Sequence, residues 1–362
     1  MKRTLYSVVL IAGAGFALSN FEMGDGLPKP PEKEWAARNQ AFVRAKVFRG
    51  DAFEPSTIDF TADPNTGAVD PRLTTCKYRP DEISGTTPKF DCELENGDKA
   101  KVKYGYTKEI PSEIAASRLM HALGFGADRV SRVEKVRCYG CPFQPFHTRS
   151  LWEMIGVTEY LDKRIDYGKY RDFDGVSVER NLEGEAIEAG EERGWAFYEL
   201  KNIDPAQGGA TRAEVDALRL MAIFLHHWDN KTANQRLVCP DSKTADCRHP
   251  LTMIQDVGSD FGPKKADLPE WKSKPVWADE GSCTVTMKWM PYDGGTFDDV
   301  RISEEGRRLI GDRLKQIPRT QVEALFKTAQ LEDIPEWIAT FEDKVRQIAD
   351  RPACPATTKT SS

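Results

Sequence analysis

Between about residues 75 and 105, apolar and polar positions follow the pattern of short strands joined by turns. Residues 90–94 and 99–104 are predicted to be extended, and the Asn-Gly pair between them favours a tight hairpin because both residues tolerate positive φ angles. A helix is predicted next, with Pro111 in its first turn and Gly124 at its end. Its apolar face comprises Ile114, Ala115, Leu119, Ala122 and Leu123.

The second half of the chain is predicted to be mainly helical. Thr211 and Glu214 form a capping box ahead of an apolar stripe that runs to Leu225. Thr320 is predicted to cap a later helix, and Pro335 to open a last one. The apolar face of that last helix comprises Trp337, Ile338, Phe341, Val345 and Ile348. The whole pattern predicts an α+β fold, with a small strand-rich lobe followed by a larger helical lobe.

The N-terminal residues are predicted to lie outside the folded domain. Met1, Lys2 and Arg3 precede an apolar run over residues 5–18, which is short for a membrane span and typical of a signal peptide. Cleavage is expected after Ser19, which implies a periplasmic or extracellular location. An uncleaved membrane anchor is the alternative, and contact with a membrane is expected only in that case.

These features divide the chain into five predicted segments. Residues 1–19 are the signal peptide, and residues 20–75, which begin with a stretch rich in Gly and Pro, are an extension and linker. Residues 76–160 and 161–353 are the smaller and the larger lobe. Residues 354–362 are polar and are expected to be a disordered tail.

Composition and charge narrow the possible partners. Hydrophobic residues make up 40% and charged residues 30% of the chain, which is typical of a globular protein. The formal net charge of −6 gives no general case for nucleic acid, whose binding needs a basic surface. We therefore expect no nucleic-acid partner, although a local basic pocket for phosphates is compatible with this charge.

Eight cysteines behind an export signal predict disulfide bonds. Cys239 and Cys247 flank a short polar loop and are the pair expected first. Cys138 and Cys141 form a Cys-x-x-Cys motif. For this motif a redox pair and half of a zinc site stay open beside a structural disulfide.

The candidate chemistry begins where the helix from Thr211 ends. Residues 227–234 have the sequence HWDNKTAN, which resembles the catalytic loop of protein kinases, H-x-D-x-K-x-x-N. The resemblance implies that Asp229 positions or deprotonates an acceptor hydroxyl, that Lys231 contacts phosphate and that Asn234 binds a metal. A polar connection between a helix and a strand is the alternative interpretation.

A second carboxylate follows a predicted strand over residues 251–255. Asp256, with Gly258 two residues later, resembles the metal-binding Asp-x-Gly of atypical kinases. Asp260 begins a literal Asp-Phe-Gly, but no apolar strand leads directly into it. The resemblance therefore assigns the metal to Asp256, and Asp260 is expected to be a loop carboxylate.

A phosphate-binding segment is predicted before the hairpin. Residues 84–89 have the sequence SGTTPK and resemble the phosphate loop of HipA-type kinases, with a Gly-Pro turn as the alternative. The nucleotide contacts that this resemblance implies come from Ser84, Gly85, Thr86, Thr87 and Lys89.

Three lysines alternate on the strand that follows, and a solvated basic face is the simplest interpretation of them. Lys103, however, resembles the strand lysine of kinases, and Glu113 in the next helix resembles its carboxylate partner. Lys103 is preferred to Lys101. Glu109 is a competing carboxylate, but it precedes Pro111 and is expected to lie outside the helix.

These landmarks occur between residues 84 and 262 in the order found in the atypical protein-kinase-like superfamily, which includes HipA-type and secreted bacterial kinase-like proteins. The resemblance implies a two-lobed kinase-like fold, ATP, and Mg²⁺ or Mn²⁺. The implied function is an exported phosphotransferase that moves the γ-phosphoryl group of ATP to a hydroxyl of an unknown protein, lipid or small molecule. An inactive pseudokinase that serves as a binding or scaffold module, and a nucleotidyl transferase on the same fold, are the alternatives.

Overall fold

The computed structural model describes residues 32–50, 54–82, 84–190, 193–240, 247–291 and 294–355. The predicted signal peptide and residues 356–362 of the predicted tail lie outside these ranges. The described chain is a mixed α+β protein. Within it, no helix combines the length and the apolar character needed to cross a bilayer.

The strands are β1 (Leu73–Arg79), β2 (Lys89–Leu94), β3 (Lys99–Lys103), β4 (Arg129–Tyr139), β5 (Tyr170–Arg180), β6 (Glu185–Ala186), β7 (Gln235–Cys239), β8 (Leu251–Ile254), β9 (Thr284–Val285) and β10 (Val300–Arg301). The α-helices are α1 (Glu32–Val43), α2 (Glu109–Ala122), α3 (Pro145–Met154), α4 (Thr158–Asp162), α5 (Arg212–Leu225), α6 (Leu268–Ser273), α7 (Glu304–Gln316), α8 (Arg319–Thr328) and α9 (Ile334–Ala349).

The first five strands form a closed barrel in the order β1-β2-β3-β5-β4. The predicted hairpin is confirmed, with Phe90 opposite Val102 and Cys92 opposite Ala100 in antiparallel register. Alternate residues point inward, and the barrel interior is filled mainly by β-branched and aromatic side chains. Strand β5 lies beyond residue 160, where the smaller lobe is predicted to end, yet it pairs with both β3 and β4.

Helices α1, α2 and α6–α9 contribute to a larger core around α5, whose residues from Val215 to Leu225 are all buried. The predicted capping box is confirmed, because the Thr211 hydroxyl accepts from the Glu214 N–H at 3.3 Å and the Glu214 carboxylate accepts from the Thr211 N–H at 2.6 Å. The predicted helix after Pro335 is also confirmed as α9, with its apolar face buried.

The predicted helix cap at Thr320 was wrong. Thr320 does not cap a helix, because α8 already begins at Arg319 after the extended residue Pro318. The segment over residues 20–75, predicted to be an extension and linker, contains α1 and a stretch that bridges Lys46 to Leu251 of β8. Burial of Phe42 in the larger core explains why this segment folds with the rest of the chain.

Four disulfides use all eight cysteines: Cys76–Cys92, Cys138–Cys141, Cys239–Cys247 and Cys283–Cys354. The predicted pairing of Cys239 with Cys247 is confirmed. The Cys-x-x-Cys motif forms a disulfide across the end of β4. Four disulfides are compatible with an oxidising compartment.

The disulfides are expected to differ in their contribution to stability, because that contribution grows with the length of the loop they close. Cys283–Cys354 spans 71 residues and Cys138–Cys141 spans 3. Replacing both cysteines of the first pair with serine should lower the free energy of unfolding by about 4 kcal/mol, against about 2 kcal/mol for the second. Urea denaturation followed by tryptophan fluorescence measures both, and a larger loss for the short loop would contradict this ranking.

Candidate active site

A cleft of about 560 Å³ lies where the turn before β2, the start of α2, the segment after α5 and the segment after β8 meet. Nine of the eleven predicted site residues line it: Ser84, Gly85, Thr86, Thr87, Lys89, Asp229, Lys231, Asn234 and Asp256. The other two, Lys103 and Glu113, are buried, and the Lys103 ammonium lies 3.9 Å from the Asp256 carboxylate. The fold therefore brings together residues that are widely separated in sequence.

Lys103 is buried together with its counter-charges. Its Nζ lies 2.5 Å from Glu113 Oε1, 2.9 Å from Glu109 Oε1 and 3.5 Å from Glu179 Oε2. The predicted contact between Lys103 and Glu113 is confirmed. Burial alone would lower the pKa of Lys103, but Glu113, Asp256 and the other carboxylates outweigh it and hold this pKa well above its ordinary value.

Glu109 was wrongly expected to lie outside the helix. It is the first residue of α2, and Pro111 fits inside the first helical turn, where a missing N–H breaks no helical hydrogen bond. Glu109 also bonds to the Thr87 hydroxyl and the Lys265 ammonium. Burial raises the pKa of Glu109, but Lys103 and these two partners outweigh it and lower the pKa to about 2.

Two further charged residues were missed by sequence reasoning. Glu179 on β5 accepts from Lys101 at 2.6 Å and lies opposite it in the barrel register. Lys265 lines the cleft from the segment that follows Asp256. Glu109 could have been recognised from the sequence, because an acidic residue is favoured in the first turn of a helix. By contrast, the position of Glu179 opposite Lys101 depends on strand pairing across 78 residues of sequence.

The segment after α5 presents Asp229 to the cleft. Helix α5 ends at Leu225, and the next residue, His226, caps it with a left-handed φ of 51°. Asp229 Oδ2 lies 3.2 Å from the Lys231 ammonium, whereas Asp229 Oδ1 is buried and has no hydrogen-bond partner among the described residues. The side-chain amide of Asn234 donates to the Asp229 carbonyl at 2.7 Å and thereby fixes the shape of the segment.

Asn234 and Asp256 adjoin each other at the ends of two paired strands, β7 and β8. The Asn234 carbonyl accepts from the backbone N–H groups of Gln255 at 2.8 Å and Asp256 at 3.2 Å. Burial raises the pKa of Asp256, but the Lys103 and Lys101 ammonium groups outweigh it and hold this pKa well below its ordinary value. An ionised carboxylate and an amide side chain thus come from adjoining backbone segments, and both residues line the cleft.

Asp260 has different surroundings from Asp256. It is fully buried, and its Oδ1 lies 2.7 Å from Nδ1 of His227. Burial raises the pKa of Asp260 to about 6, with His227 opposing the shift. Asp260 therefore lies in the loop between β8 and α6, as predicted, and its buried side chain is the partner of His227. Of the two aspartates, Asp256 lines the cleft.

Two glycines allow other loops to pack directly on the segment that carries Asp229. A Cβ atom at Gly194, which has a φ of +77°, would lie 2.0 Å from the Thr232 carbonyl oxygen. A Cβ atom at Gly295 would lie 2.3 Å from the Asn230 carbonyl oxygen. Only glycine fits such close approaches of backbone to backbone, so both residues help to hold the segment in place.

No family model and no curated protein sequence matches the chain. Among solved structures, the chain is similar to the crystal structure of a Helicobacter pylori proinflammatory kinase, CtkA. The similarity covers 77% of this chain and 94% of that chain, with a TM-score of 0.42 and 12% sequence identity. At this level of similarity, function has to be inferred from the cleft itself, and the resemblance to HipA-type kinases stays a prediction.

The buried charges predict a large difference between two lysines of β3. Lys103→Met should lower the free energy of unfolding by about 3–5 kcal/mol, because it leaves buried carboxylates without their cation. Lys99→Met is the matched control, since the Lys99 side chain is 50% exposed and pairs with Asp81 and Asp91, both of which are partly exposed. Urea denaturation measures both variants, and equal losses would contradict the proposed importance of the buried cluster.

The lowered pKa of Glu109 predicts a dependence of stability on pH. Because the folded-state pKa of about 2 lies below the ordinary 4.5, Glu109 stabilises the fold above about pH 4.5, and this contribution is lost as the pH falls toward 2. Glu109→Gln should therefore be less stable than the native protein at pH 6, and the difference should shrink by pH 3. Glu183→Gln, at a side chain that is 79% exposed, serves as the control in the same series of denaturation curves. A difference that grows on acidification would refute this assignment.

Proposed function

We propose that this protein is an exported, kinase-like phosphotransferase, which moves the γ-phosphoryl group of ATP to a hydroxyl of a protein, lipid or small-molecule acceptor. One observation carries the proposal. Residues 84–89, residues 229–234 and Asp256 meet in one cleft that is backed by the buried pair of Lys103 and Glu113. If these three polar segments were turns with unrelated roles, there would be no physical reason for them to line the same cleft.

The turn before β2 supports phosphate binding. Gly85 has a φ of +80°, and a Cβ atom at this position would lie 3.1 Å from the Lys89 ammonium. No ion pair or hydrogen bond joins the Lys89 ammonium to the other described residues. Burial lowers the pKa of Lys89, and Lys103 and Lys101 lower it further. A half-buried cation beside an open glycine turn favours the binding of phosphate oxygens, which would compensate its charge.

Asn234 and Asp256 fit a divalent metal of the Mg²⁺ or Mn²⁺ type. Both offer oxygen atoms, the Asp256 side chain is 40% exposed, and their backbones are hydrogen-bonded to each other. The described residues contain no group of three His, Cys, Asp or Glu side chains arranged as a complete metal site. Mg²⁺ commonly binds through one or two protein side chains together with substrate phosphates, and it would neutralise phosphate charge here.

Asp229 has the geometry of the group that handles the acceptor. Its carboxylate lines the cleft and can accept the proton of an acceptor hydroxyl while the hydroxyl oxygen bonds to the γ-phosphorus. The bond from that phosphorus to the bridging oxygen of the β-phosphate breaks at the same time, and ADP leaves. Lys231, at 3.2 Å from Asp229, can balance the charge that builds up on the transferred group.

Three aspartate variants test the proposal. Asp256→Asn should abolish Mg²⁺-dependent ATP binding and turnover together, because it removes the metal-binding charge. Asp229→Asn should keep ATP binding but lose about 10²–10⁴-fold in turnover, the usual contribution of a general base. Asp260→Asn is the control, four residues from Asp256 but outside the cleft lining, and it should be much milder. Calorimetric titration of ATP with Mg²⁺ measures binding, and ATP consumption with product mass measures transfer.

Each outcome has a distinct meaning. If Asp260→Asn abolishes metal-dependent binding and Asp256→Asn does not, the metal has been assigned to the wrong carboxylate. Binding without turnover in the native protein would favour a pseudokinase, and a product heavier by a nucleotidyl group would indicate nucleotidyl transfer. If no variant changes binding or turnover, the phosphotransferase proposal fails.

A further inference from the structure

Lys265 contributes a cation to the cleft from outside every motif that the sequence suggests. It lies between Asp256 and α6, and its side chain is 25% exposed. Its ammonium donates to the Thr87 hydroxyl at 3.1 Å and forms an ion pair with Glu109. Thr87 belongs to the candidate phosphate loop, so Lys265 joins that loop to the segment that follows Asp256.

The backbone around Lys265 has an unusual conformation. Phe261, Lys265 and Ala266 have φ angles of 58°, 58° and 45°, a left-handed region that residues with a side chain rarely adopt. Two backbone hydrogen bonds hold this conformation, from Ala266 to Asp260 at 3.1 Å and from Asp267 to Phe261 at 2.9 Å. Unfavourable backbone that is held in place at a cleft is a recurrent feature of functional sites.

The contacts of Lys265 leave capacity for a ligand. A lysine ammonium has three N–H donors, and Thr87 and Glu109 account for two of them. Glu109 also has Lys103 as a counter-ion at 2.9 Å, so its charge does not depend on Lys265 alone. Because the Lys265 ammonium is 3.1 Å from the Thr87 hydroxyl, a phosphate group bound at this turn would lie near the remaining donor.

We propose that Lys265 binds the phosphate chain of the donor substrate, and that it does so while tying the phosphate loop to the segment after Asp256. This inference rests on the proposed function and adds to it a phosphate-binding residue that no kinase-like motif of the chain contains. Lys265 would act with Lys89, which approaches the same loop from its own strand.

Two variants of Lys265 distinguish the effect of its positive charge on ligand binding from the effect of its hydrogen bond to Thr87. Lys265→Gln keeps a hydrogen-bond donor for Thr87 but removes the positive charge. Lys265→Arg keeps the donor and the positive charge. Lys264→Met is the matched control, because Lys264 is the neighbouring residue and is exposed. Calorimetric titrations with Mg·ATP and with inorganic tripolyphosphate should be made on each full-length, disulfide-bonded variant, with its melting temperature recorded.

Lys265→Gln should weaken the binding of both ligands about tenfold or more, since a hydrogen bond to a charged group is lost. Lys265→Arg should retain most of the affinity, and Lys264→Met should bind like the native protein. If Lys265→Gln binds both ligands as the native protein does, this inference fails while the proposed function stands. A native protein that binds tripolyphosphate through Lys265 but transfers no phosphoryl group would instead overturn the proposed function. If the native protein binds neither ligand, both fail.

Discussion

The burial of Lys103 is the constraint on which the rest of the structure depends. An ammonium group that is 1% exposed is tolerated only with carboxylates in contact, because an unpaired buried charge is strongly destabilising. Its partners come from α2, from β5 and from the segment after β8. The barrel, helix α2 and the small sheet that contains β7 and β8 must therefore all be in place before this one side chain is compensated.

The same cluster also shapes the cleft. Glu109 contacts Lys103, Thr87 and Lys265, and thereby connects the barrel, the candidate phosphate loop and the segment after Asp256. It also explains Gly258, since a Cβ atom there would lie 2.5 Å from the Glu109 side chain. The glycine of the Asp-x-Gly motif thus leaves room for a carboxylate that holds the surrounding elements together.

A second set of contacts begins in the N-terminal helix α1 and supports the segment around Asp229. Arg38 of α1 is 4% exposed, donates to the Gly194 carbonyl at 2.8 Å and pairs with Glu199. Gly194 in turn packs against the backbone of Thr232. Helix α1 therefore supports the candidate active site, although its sequence is predicted to belong to an extension.

The sequence by itself determined the features that depend on neighbours in the chain. The Asn-Gly hairpin, the capping box at Thr211, the apolar face of α9 and the Cys239–Cys247 disulfide all follow from local turn, helix and spacing preferences. The sequence motifs also identified nine of the residues that line the cleft, because the residues of each motif lie only a few positions apart in the chain.

Only the tertiary structure decided which charges share one buried space. It placed Asp260 against His227 and Asp256 at the cleft, brought Glu179 to Lys101, and joined Cys283 to Cys354 across 71 residues. The physical reason is that the effect of burying a charge depends on partners that strand pairing and helix packing bring from distant parts of the chain. Local periodicity contains no information on those partners.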